Sequence, residues 1–324
     1  MEGKVLDPNK DKLELNKPLT MSLAPHIRSS DSTRKIMLDV IIALMPAAIG
    51  SVYFFGINAL ILILVCVASA VGAEFLIQKL FKKDILIGDL SAVVTGILLA
   101  FNLPADAPWW VAVFGSIFAI IIVKEFFGGI GSNFMNPALA ARAVLVASWP
   151  SIMAVYPSPD GVSGATPLAL MKAGSGVGEL PSLVNMFVGD IGGSLGETSA
   201  LLLLIGAAYL LIKKVIDWRI PAIYIATTMV LLLIFGVGTD LILYHLLGGG
   251  LILGAFFMAT DYSTSPITNK GKIIFAVGCG ILTVLIRVKG GMPEGVSYSI
   301  LLMNIMTPII ERFTKPKVFG GENK

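Results

Sequence analysis

The chain alternates long apolar runs with short segments rich in glycine, proline or charge. Several runs reach the length of a bilayer-crossing helix, which needs about 20 predominantly apolar residues. About ten spans are predicted on this basis, and they cover residues 36–55, 57–80, 88–102, 109–127, 137–149, 199–212, 220–235, 241–259, 271–288 and 296–313.

The third predicted span is too short for a straight crossing. Only about 14 residues separate Gly88 from the break at Asn102 and Pro104, fewer than the roughly 20 that a straight helix needs. Backbone that ends at membrane depth is tolerated only where protein or a cavity covers it. We therefore expect a broken or half-crossing third span whose end is covered.

The first five apolar runs and the last five have glycine and charged residues at matching positions. Residues 95–102 parallel residues 253–260, and residues 113–129 parallel residues 276–291. Fused repeats with an odd number of spans must have opposite orientations in the membrane. The predicted fold is an all-α polytopic membrane protein of about ten transmembrane helices, arranged as two inverted five-helix repeats with broken third spans. Its parts are an N-terminal tail, a first repeat, a connection, a second repeat and a C-terminal tail, at residues 1–35, 36–149, 150–198, 199–313 and 314–324.

Composition supports the membrane class. Hydrophobic residues make up 56% of the chain and charged residues 14%, and the mean hydropathy is +0.85. Soluble domains carry about 25% charged residues, so a soluble fold is excluded and the lipid bilayer is the expected surroundings. The net charge of +3 gives no reason to expect a nucleic-acid partner. Residues 1–35 have no apolar core, so the first span is expected to act as the targeting element.

Lysine and arginine are unevenly shared between the two sides of the predicted bundle. If the N-terminus is cytoplasmic, the inner side receives the basic tail and Lys79, Lys82, Lys83, Lys124, Lys213, Lys214, Arg219, Lys270, Lys272, Lys315 and Lys317. The connection 150–198 contains one lysine, and Arg287 and Lys289 are a partial exception. The predicted topology is a multi-pass protein of the prokaryotic inner (cytoplasmic) membrane, with both termini cytoplasmic and the connection extracytoplasmic.

The two cysteines, Cys66 and Cys279, lie inside apolar runs and have no metal-binding spacing. A zinc or iron–sulfur site made by this chain alone is therefore not expected, and no metal ligand is assigned. Both thiols should be buried as small hydrophobic side chains.

The connection contains one segment of candidate chemistry, which begins at Asp160 and ends at Thr166. The hydroxyls of Ser163 and Thr166 flank Gly164 and Ala165, whose small size lets a bulky group approach the backbone. A threonine hydroxyl is a poor nucleophile unaided, and nothing in the sequence marks a base for it. A separate enzyme is the expected agent, and we expect an exposed, flexible loop that such an enzyme can bind.

This segment resembles the flavinylation motif of the NqrB/RnfD family. That family contains the D subunit of Rnf complexes and the B subunit of the sodium-pumping NADH:quinone oxidoreductase. Five further stretches resemble the D subunits in particular, at residues 24–29, 128–138, 258–262, 294–304 and 314–320. The resemblance therefore covers nearly the whole chain.

The resemblance implies FMN joined to Thr166 through a phosphoester, with Asp160, Ser163, Gly164 and Ala165 completing the motif. An exported, magnesium-dependent flavin transferase attaches the FMN in the family. The implied function is a membrane electron-transfer subunit of a complex that couples electron transfer between ferredoxin and NAD⁺ to Na⁺ or H⁺ translocation. Such a chain is an enzyme subunit and is not catalytically complete alone. Its implied partners are the A, B, C, E and G subunits of an Rnf complex, and a second, non-covalent flavin, riboflavin, is implied between the helices.

Four more polar residues are candidates for the site. Asn136, just before a predicted helix, marks either an anion or flavin-edge site or an ordinary N-terminal turn. Arg142 either snorkels to the inner surface or contacts a cofactor or partner subunit, because an unpaired charge in a span is expensive. Asp89 and Asp261, beside the broken spans, are either ion-path residues by family similarity or interfacial carboxylates.

Two other functions fit the same predicted fold. One is a solute channel or transporter without a redox cofactor, and the other is a membrane scaffold for redox subunits. A fold does not decide function. Covalent flavin on the chain is the property that separates these alternatives.

Overall fold

The computed structural model describes residues 31–158, 163–174 and 180–316, and from Thr33 onward these residues belong to one compact unit. The unit is built from helices, in agreement with the predicted all-α membrane class. The motif residue Asp160 and the tails 1–30 and 317–324 lie outside the described residues.

Helices cover the apolar runs of the first half. They are α1 Thr33–Phe55, α2 Ile57–Leu80, α3 Ser91–Phe101, α4 Trp109–Ile117 and α5 Pro137–Ser148. A π-helix, Phe118–Glu125, prolongs α4, where the apolar pattern predicted one regular helix. A short 3₁₀ turn, Ile87–Asp89, precedes α3.

The connection has more regular structure than its composition suggests. The described part of it, residues 150–158, 163–174 and 180–198, contains three short helices, α6 Pro150–Met153, α7 Pro167–Lys172 and α8 Leu183–Val188. Two short antiparallel strands, β1 Tyr156–Pro157 and β2 Ser163–Gly164, pair Tyr156 with Gly164. Ala165 and Thr166 thus lie between the strand β2 and the helix α7.

The second half again follows the predicted runs. Its helices are α9 Ala200–Ile212, α10 Arg219–Ile234, α11 Thr239–Leu247, α12 Leu251–Leu253, α13 Asn269–Val288 and α14 Val296–Thr314. A second π-helix, Gly254–Met258, prolongs α12. By length and composition α1, α2 and α13 can each cross a membrane, and α11 with the α12 segment can form a fourth span that is bent by 59°.

That bend lies at three consecutive glycines, Gly248 to Gly250. Gly249 and Gly250 have φ angles of +62° and +66°, a left-handed conformation that glycine adopts without steric cost. The helical run Thr239–Met258 is therefore interrupted at these glycines. The physical cause of the interruption is a backbone conformation that side chains disfavour.

The end of the short helix α3 is covered by protein, as predicted. The amide of Leu195 donates to the carbonyl oxygen of Leu103 at 3.0 Å, and that of Gly196 donates to the carbonyl oxygen of Phe101 at 2.9 Å. The end of the connection therefore satisfies carbonyls that a half-crossing helix leaves open.

Close backbone contact and buried hydroxyls hold the bundle together. A Cβ at Gly96 of α3 would lie 2.8 Å from the Cα of Val67 in α2, so these helices touch through their backbones. The Tyr224 hydroxyl shares hydrogen bonds with Thr283 at 2.6 Å and Ser299 at 3.0 Å, which joins α10, α13 and α14. Both cysteines are free and buried, which confirms that prediction.

Candidate functional site

Thr166 is the N-cap residue of α7. Its Oγ1 accepts a hydrogen bond from the Ala169 amide at 3.3 Å, and only 7% of the residue is exposed. The loop expected to be exposed is exposed at Gly164 and Ala165, whereas Thr166 itself is buried. Ser163 pairs with Pro157 in the strand pair.

Thr166 lines a cavity of about 200 Å³, which we call the Thr166 cavity. Its walls are largely apolar and combine parts of α5, α6, the strand β1 and the loop before α14. The polar side chains at its wall are Arg142, Tyr156, Thr166, Glu294, Ser297 and Tyr298, and the apolar ones include Val146, Met153 and Pro293. Such a combination of apolar walls with a few polar groups is typical of small-molecule sites.

Arg142 lies buried at this cavity and does not snorkel to the inner surface. Its Nη1 donates to Glu197 Oε1 at 2.9 Å and to Asn102 Oδ1 at 2.7 Å, and its Nη2 donates to Glu294 Oε2. Only 3% of Arg142 is exposed. The guanidinium thus joins the end of α3 to the connection and to the loop before α14.

The negative charges of Glu197 and Glu294, the two carboxylates around Arg142, repel each other. Burial raises the pKa of Glu197, and the negative charge of Glu294 adds to the increase while Arg142 opposes it. Burial, reinforced by Glu294, also raises the pKa of the Tyr156 phenol. Tyr156 therefore stays protonated and donates to Glu294 Oε1 at 3.4 Å.

A second buried arginine, Arg287, completes this cluster. Its Nε donates to the carbonyl oxygen of Glu294 at 2.7 Å, and its other nitrogens donate to the carbonyls of His245, Gly248 and Gly249. These last three carbonyls belong to the end of α11 and to the glycine break, where the helix leaves acceptors unpaired. We call Arg142, Glu197, Arg287 and Glu294 the quartet; the first three are buried, Glu294 is partly buried, and their formal charges sum to zero.

Asn136 lies at a different cavity, as the N-cap residue of α5. Its Oδ1 accepts from the amides of Ala138 and Leu139, and Pro137 occupies the first helical position. The ordinary N-terminal turn is therefore present. The residue also lines a cavity of about 100 Å³ with Ser91, Lys124, Asn133 and Asp261, which we call the Asn136 cavity. A groove of about 650 Å³ shares Asn133 and Asp261 with it.

Asp89 is linked to this cavity through a chain of polar side chains. Its Oδ1 accepts from Ser91 Oγ at 2.6 Å, and Lys124 Nζ donates both to Ser91 Oγ and to Glu74 Oε1, each at 2.6 Å. Glu74 and Lys124 are 1% and 3% exposed. Glu74 Oε2 has no hydrogen-bond partner within the part of the chain that the structure describes.

Asp261 faces the Asn136 cavity from the loop after the second π-helix. Its Oδ2 accepts from Ser263 Oγ at 2.9 Å and from Thr264 Oγ1 at 3.1 Å. Burial raises the pKa of its carboxyl group, and these hydrogen bonds oppose the increase. The structure thus brings Asp261, Asn136 and the Ser91 end of the Asp89 chain to one cavity.

Five charged residues at or beside these two sites were not predicted from the sequence as site residues: Glu74, Lys124, Glu197, Arg287 and Glu294. Glu74 and Lys124 lie inside predicted spans, and charged residues at membrane depth are rare and functional by default, so composition alone carried a signal for them. Glu197 and Glu294 lie in segments predicted as loops. Their burial beside Arg142 depends on contacts between distant parts of the chain, which no local pattern records.

The sequence of this chain matches known proteins over nearly its whole length. A family model described as the NQR2, RnfD, RnfE family matches residues 20–320. The chain belongs to the NQR2, RnfD, RnfE family. This confirms the resemblance that the motifs indicated, and it extends over both cavities and the connection between them.

Relatives within the NQR2, RnfD, RnfE family match over almost their full length. The chain is 58% identical to the D subunit of the Na(+)-translocating ferredoxin:NAD(+) oxidoreductase complex of Acetobacterium woodii, over 95% of this chain and 96% of the relative. It is 46% identical to the D subunit of the proton-translocating ferredoxin:NAD(+) oxidoreductase complex of Clostridium ljungdahlii, over 93% and 96%. It is 39% identical to the D subunit of the ion-translocating oxidoreductase complex of Stutzerimonas stutzeri, over 91% and 93%.

Proposed function

We propose that this chain is the D subunit of an Rnf-type complex, which couples electron transfer between ferredoxin and NAD⁺ to translocation of Na⁺ or H⁺, and that Thr166 carries FMN. The role in the complex is supported by the near full-length similarity to D subunits. The observation that carries the cofactor assignment is that Thr166, at the end of the motif, lines a cavity with apolar walls and buried polar groups.

The residues at the Thr166 cavity fit a tethered flavin. Thr166 Oγ1 supplies the oxygen of the phosphoester, Val146 and Met153 offer apolar contact, and Tyr156 and Tyr298 offer aromatic contact and hydroxyls. Bound FMN supplies the redox chemistry, which these side chains lack. The chain contributes position, exclusion of water, and the electrostatic field of the quartet beside the cavity.

Attachment needs a second protein. In the folded chain Thr166 Oγ1 is bonded to the Ala169 amide, which is a hydrogen-bond donor and cannot remove the hydroxyl proton. An ester forms readily in water only from an activated phosphate, so the flavin donor must contain a phosphoanhydride, as flavin adenine dinucleotide does. A flavin transferase with Mg²⁺ is the agent that we propose.

The proposed topology has ten spans in two inverted repeats, with both termini in the cytoplasm and Thr166 on the extracytoplasmic side of the prokaryotic inner membrane. The lysine and arginine distribution supports this orientation. The short helix α3 and the bend between α11 and α12 support paired broken spans, which are common in inverted repeats.

The Asn136 cavity and its adjoining groove are the proposed place of a second flavin, riboflavin. Their volumes of about 100 and 650 Å³ and their Asn133 and Asn136 amides suit a neutral ring with polar edges. The proposed ion path contains Asp261 and a chain of hydrogen-bonded side chains. That chain runs from Asp89 through Ser91 and Lys124 to Glu74. The A, B, C, E and G subunits of the complex are the proposed partners.

One experiment separates this function from a solute channel of the same fold. The chain is purified from cells that contain the transferase, denatured, and examined for flavin fluorescence and for an FMN-phosphoryl mass on the Thr166 peptide. Thr166→Val should abolish both signals. The matched control is Thr268→Val, because Thr268 is likewise an N-cap threonine, accepting from the Gly271 amide at 3.0 Å. A wild-type chain without flavin would overturn the redox function and favour the channel.

A further inference from the structure

The helix α7, whose N-cap residue is Thr166, packs against the glycine break between α11 and α12. Leu168, the second residue of α7, is only 3% exposed. A Cβ at Gly249 would lie 2.2 Å from Leu168 Cδ1, and one at Gly248 would lie 3.5 Å from Leu168 Cγ. Leu168 therefore occupies space that a side chain at residue 249 would fill, and it is in van der Waals contact with residue 248.

The other end of α7 is fastened to a different segment. Lys172 Nζ donates to the carbonyl oxygens of Arg287 at 3.3 Å, Met292 at 2.8 Å, and Gly290. These carbonyls belong to the end of α13 and the loop that follows it. Two side chains, Leu168 and Lys172, thus fix both ends of α7 to the second half of the chain.

This arrangement hides the nucleophile. Transfer requires the donor phosphorus within about 3–3.5 Å of the attacking oxygen and in line with it. Thr166 is nearly buried, its Oγ1 is engaged by the Ala169 amide, and its cavity of about 200 Å³ is far smaller than an enzyme that carries a dinucleotide. We call α7 with both its Leu168 and its Lys172 contacts made the seated form. In this form Thr166 is not accessible to a modifying enzyme.

We propose that Leu168 and Lys172 are positioning residues that form a latch, and that α7 must leave the glycine break before FMN is transferred to Thr166. After transfer the same two contacts seat the loaded threonine at its cavity. This inference rests on the proposed function, because it takes Thr166 to be the acceptor.

The transfer in the open form is a phosphoryl substitution. A bond forms between Thr166 Oγ1 and the phosphorus of the flavin-bearing phosphate in flavin adenine dinucleotide. The phosphoanhydride bond breaks and adenosine monophosphate leaves with that bond's electrons. The hydroxyl proton passes to a base of the transferase, and no group is oxidised or reduced.

The test uses the full-length chain in lipid nanodiscs, prepared from cells that lack the transferase. Purified transferase, flavin adenine dinucleotide and Mg²⁺ are then added, and the initial rate of covalent flavin fluorescence is measured. Hydrogen–deuterium exchange at the amides of residues 169–172 reports the opening of α7 without any flavin. Circular dichroism of each variant before the assay confirms that the bundle is folded.

Three variants open the latch from different sides. Leu168→Ala should raise both the exchange rate and the transfer rate about tenfold or more, because it removes a buried leucine side chain. Gly249→Ala should act in the same direction, because its methyl group would lie 2.2 Å from Leu168 Cδ1; it would also lie 2.8 Å from Arg287 Nη2. Lys172→Met should raise both rates about threefold, a smaller effect because its hydrogen bonds are solvent-exposed.

Two matched controls isolate the contribution of the latch contacts. Gly236→Ala places a side chain at φ +77° with nothing within 4 Å, so it reproduces the backbone strain of Gly249→Ala without displacing Leu168. Lys270→Met removes an exposed lysine far along the chain from α7. Both controls should leave both rates unchanged.

Two outcomes overturn the latch. Exchange that does not increase in Leu168→Ala shows that the leucine does not hold α7. Increased exchange with an unchanged or slower transfer shows that the transferase acts on the seated form. Failure of the proposed function looks different, since wild-type chain and all variants then acquire no covalent flavin at all.

Discussion

Replacing Arg142 with methionine removes the cation that binds the carboxylates of Glu197 and Glu294 and the side-chain amide of Asn102. Arg142, Glu197 and Glu294 have side chains that are 4%, 8% and 18% exposed. Removing one partner of a buried ion pair costs about 3–5 kcal/mol, because a charge is left without compensation. Most of this cost falls on Glu197, the more deeply buried carboxylate, and we expect Arg142→Met to lose about 4 kcal/mol at pH 8.

The loss should depend on pH with a definite sign. Burial already raises the pKa of Glu197, and removal of Arg142 takes away the charge that opposed the increase. A carboxyl whose pKa is higher in the folded than in the unfolded state binds more protons when folded, so stability falls as pH rises. The deficit of Arg142→Met should therefore be largest at alkaline pH and shrink as pH approaches the ordinary glutamate value of about 4.3.

Denaturation in mixed micelles, followed by circular dichroism at several pH values, measures the effect. Arg142→Met combined with Glu197→Gln should recover a large part of the loss, since the amide carries no charge. Arg219→Met is the control, because Arg219 pairs with Asp217 at 3.1 Å in a partly exposed site, 36% and 20% exposed, and such pairs contribute about 0–1 kcal/mol. A loss in Arg142→Met no larger than that of the control, or one independent of pH, would refute the reasoning.

Two further variants test the packing of the bundle. Gly96→Ala should lower the free energy of unfolding by about 1–3 kcal/mol, because the new methyl group meets the α2 backbone at 2.8 Å. Gly88→Ala, with nothing within 4 Å, is the control in the same denaturation assay. Equal stability of the two variants would contradict the close contact of α2 and α3. Tyr224→Phe should lower the free energy of unfolding by about 1–2 kcal/mol, because Thr283 and Ser299 lose a buried hydrogen-bond partner. Tyr53→Phe, at an exposed side chain, is its control. Equal denaturation midpoints of the two variants would show that the buried hydroxyl does not stabilise the bundle.

The hydrophobic pattern predicted the helices well because length and apolar continuity are properties of a single run. α2, Ile57–Leu80, has the predicted bounds, and α14, Val296–Thr314, ends one residue beyond them. The pattern did not reveal the π-helix Phe118–Glu125. A wider helical turn changes hydrogen bonding but leaves the apolar content of the run unchanged.

The site was predicted less completely than the helices. The motif located Thr166, yet its burial depends on Leu168 meeting Gly249 and Lys172 meeting Met292, residues that are far apart in sequence. Likewise, Arg142 was recognised as an expensive charge, but its partners Glu197 and Glu294 lie in segments whose composition indicates loops. Long-range pairings of this kind leave no periodic trace in one sequence.

The quartet also restricts how the molecule can move. Arg142 bonds the end of α3, the connection and the loop before α14, while Arg287 bonds that loop and the glycine break. Rigid rocking of residues 36–149 against residues 199–313 has to separate buried charges, at about 3–5 kcal/mol for each pair that is broken. The quartet therefore opposes a rigid rocking of one half of the chain against the other, and a hinge motion that leaves these ion pairs intact avoids that cost.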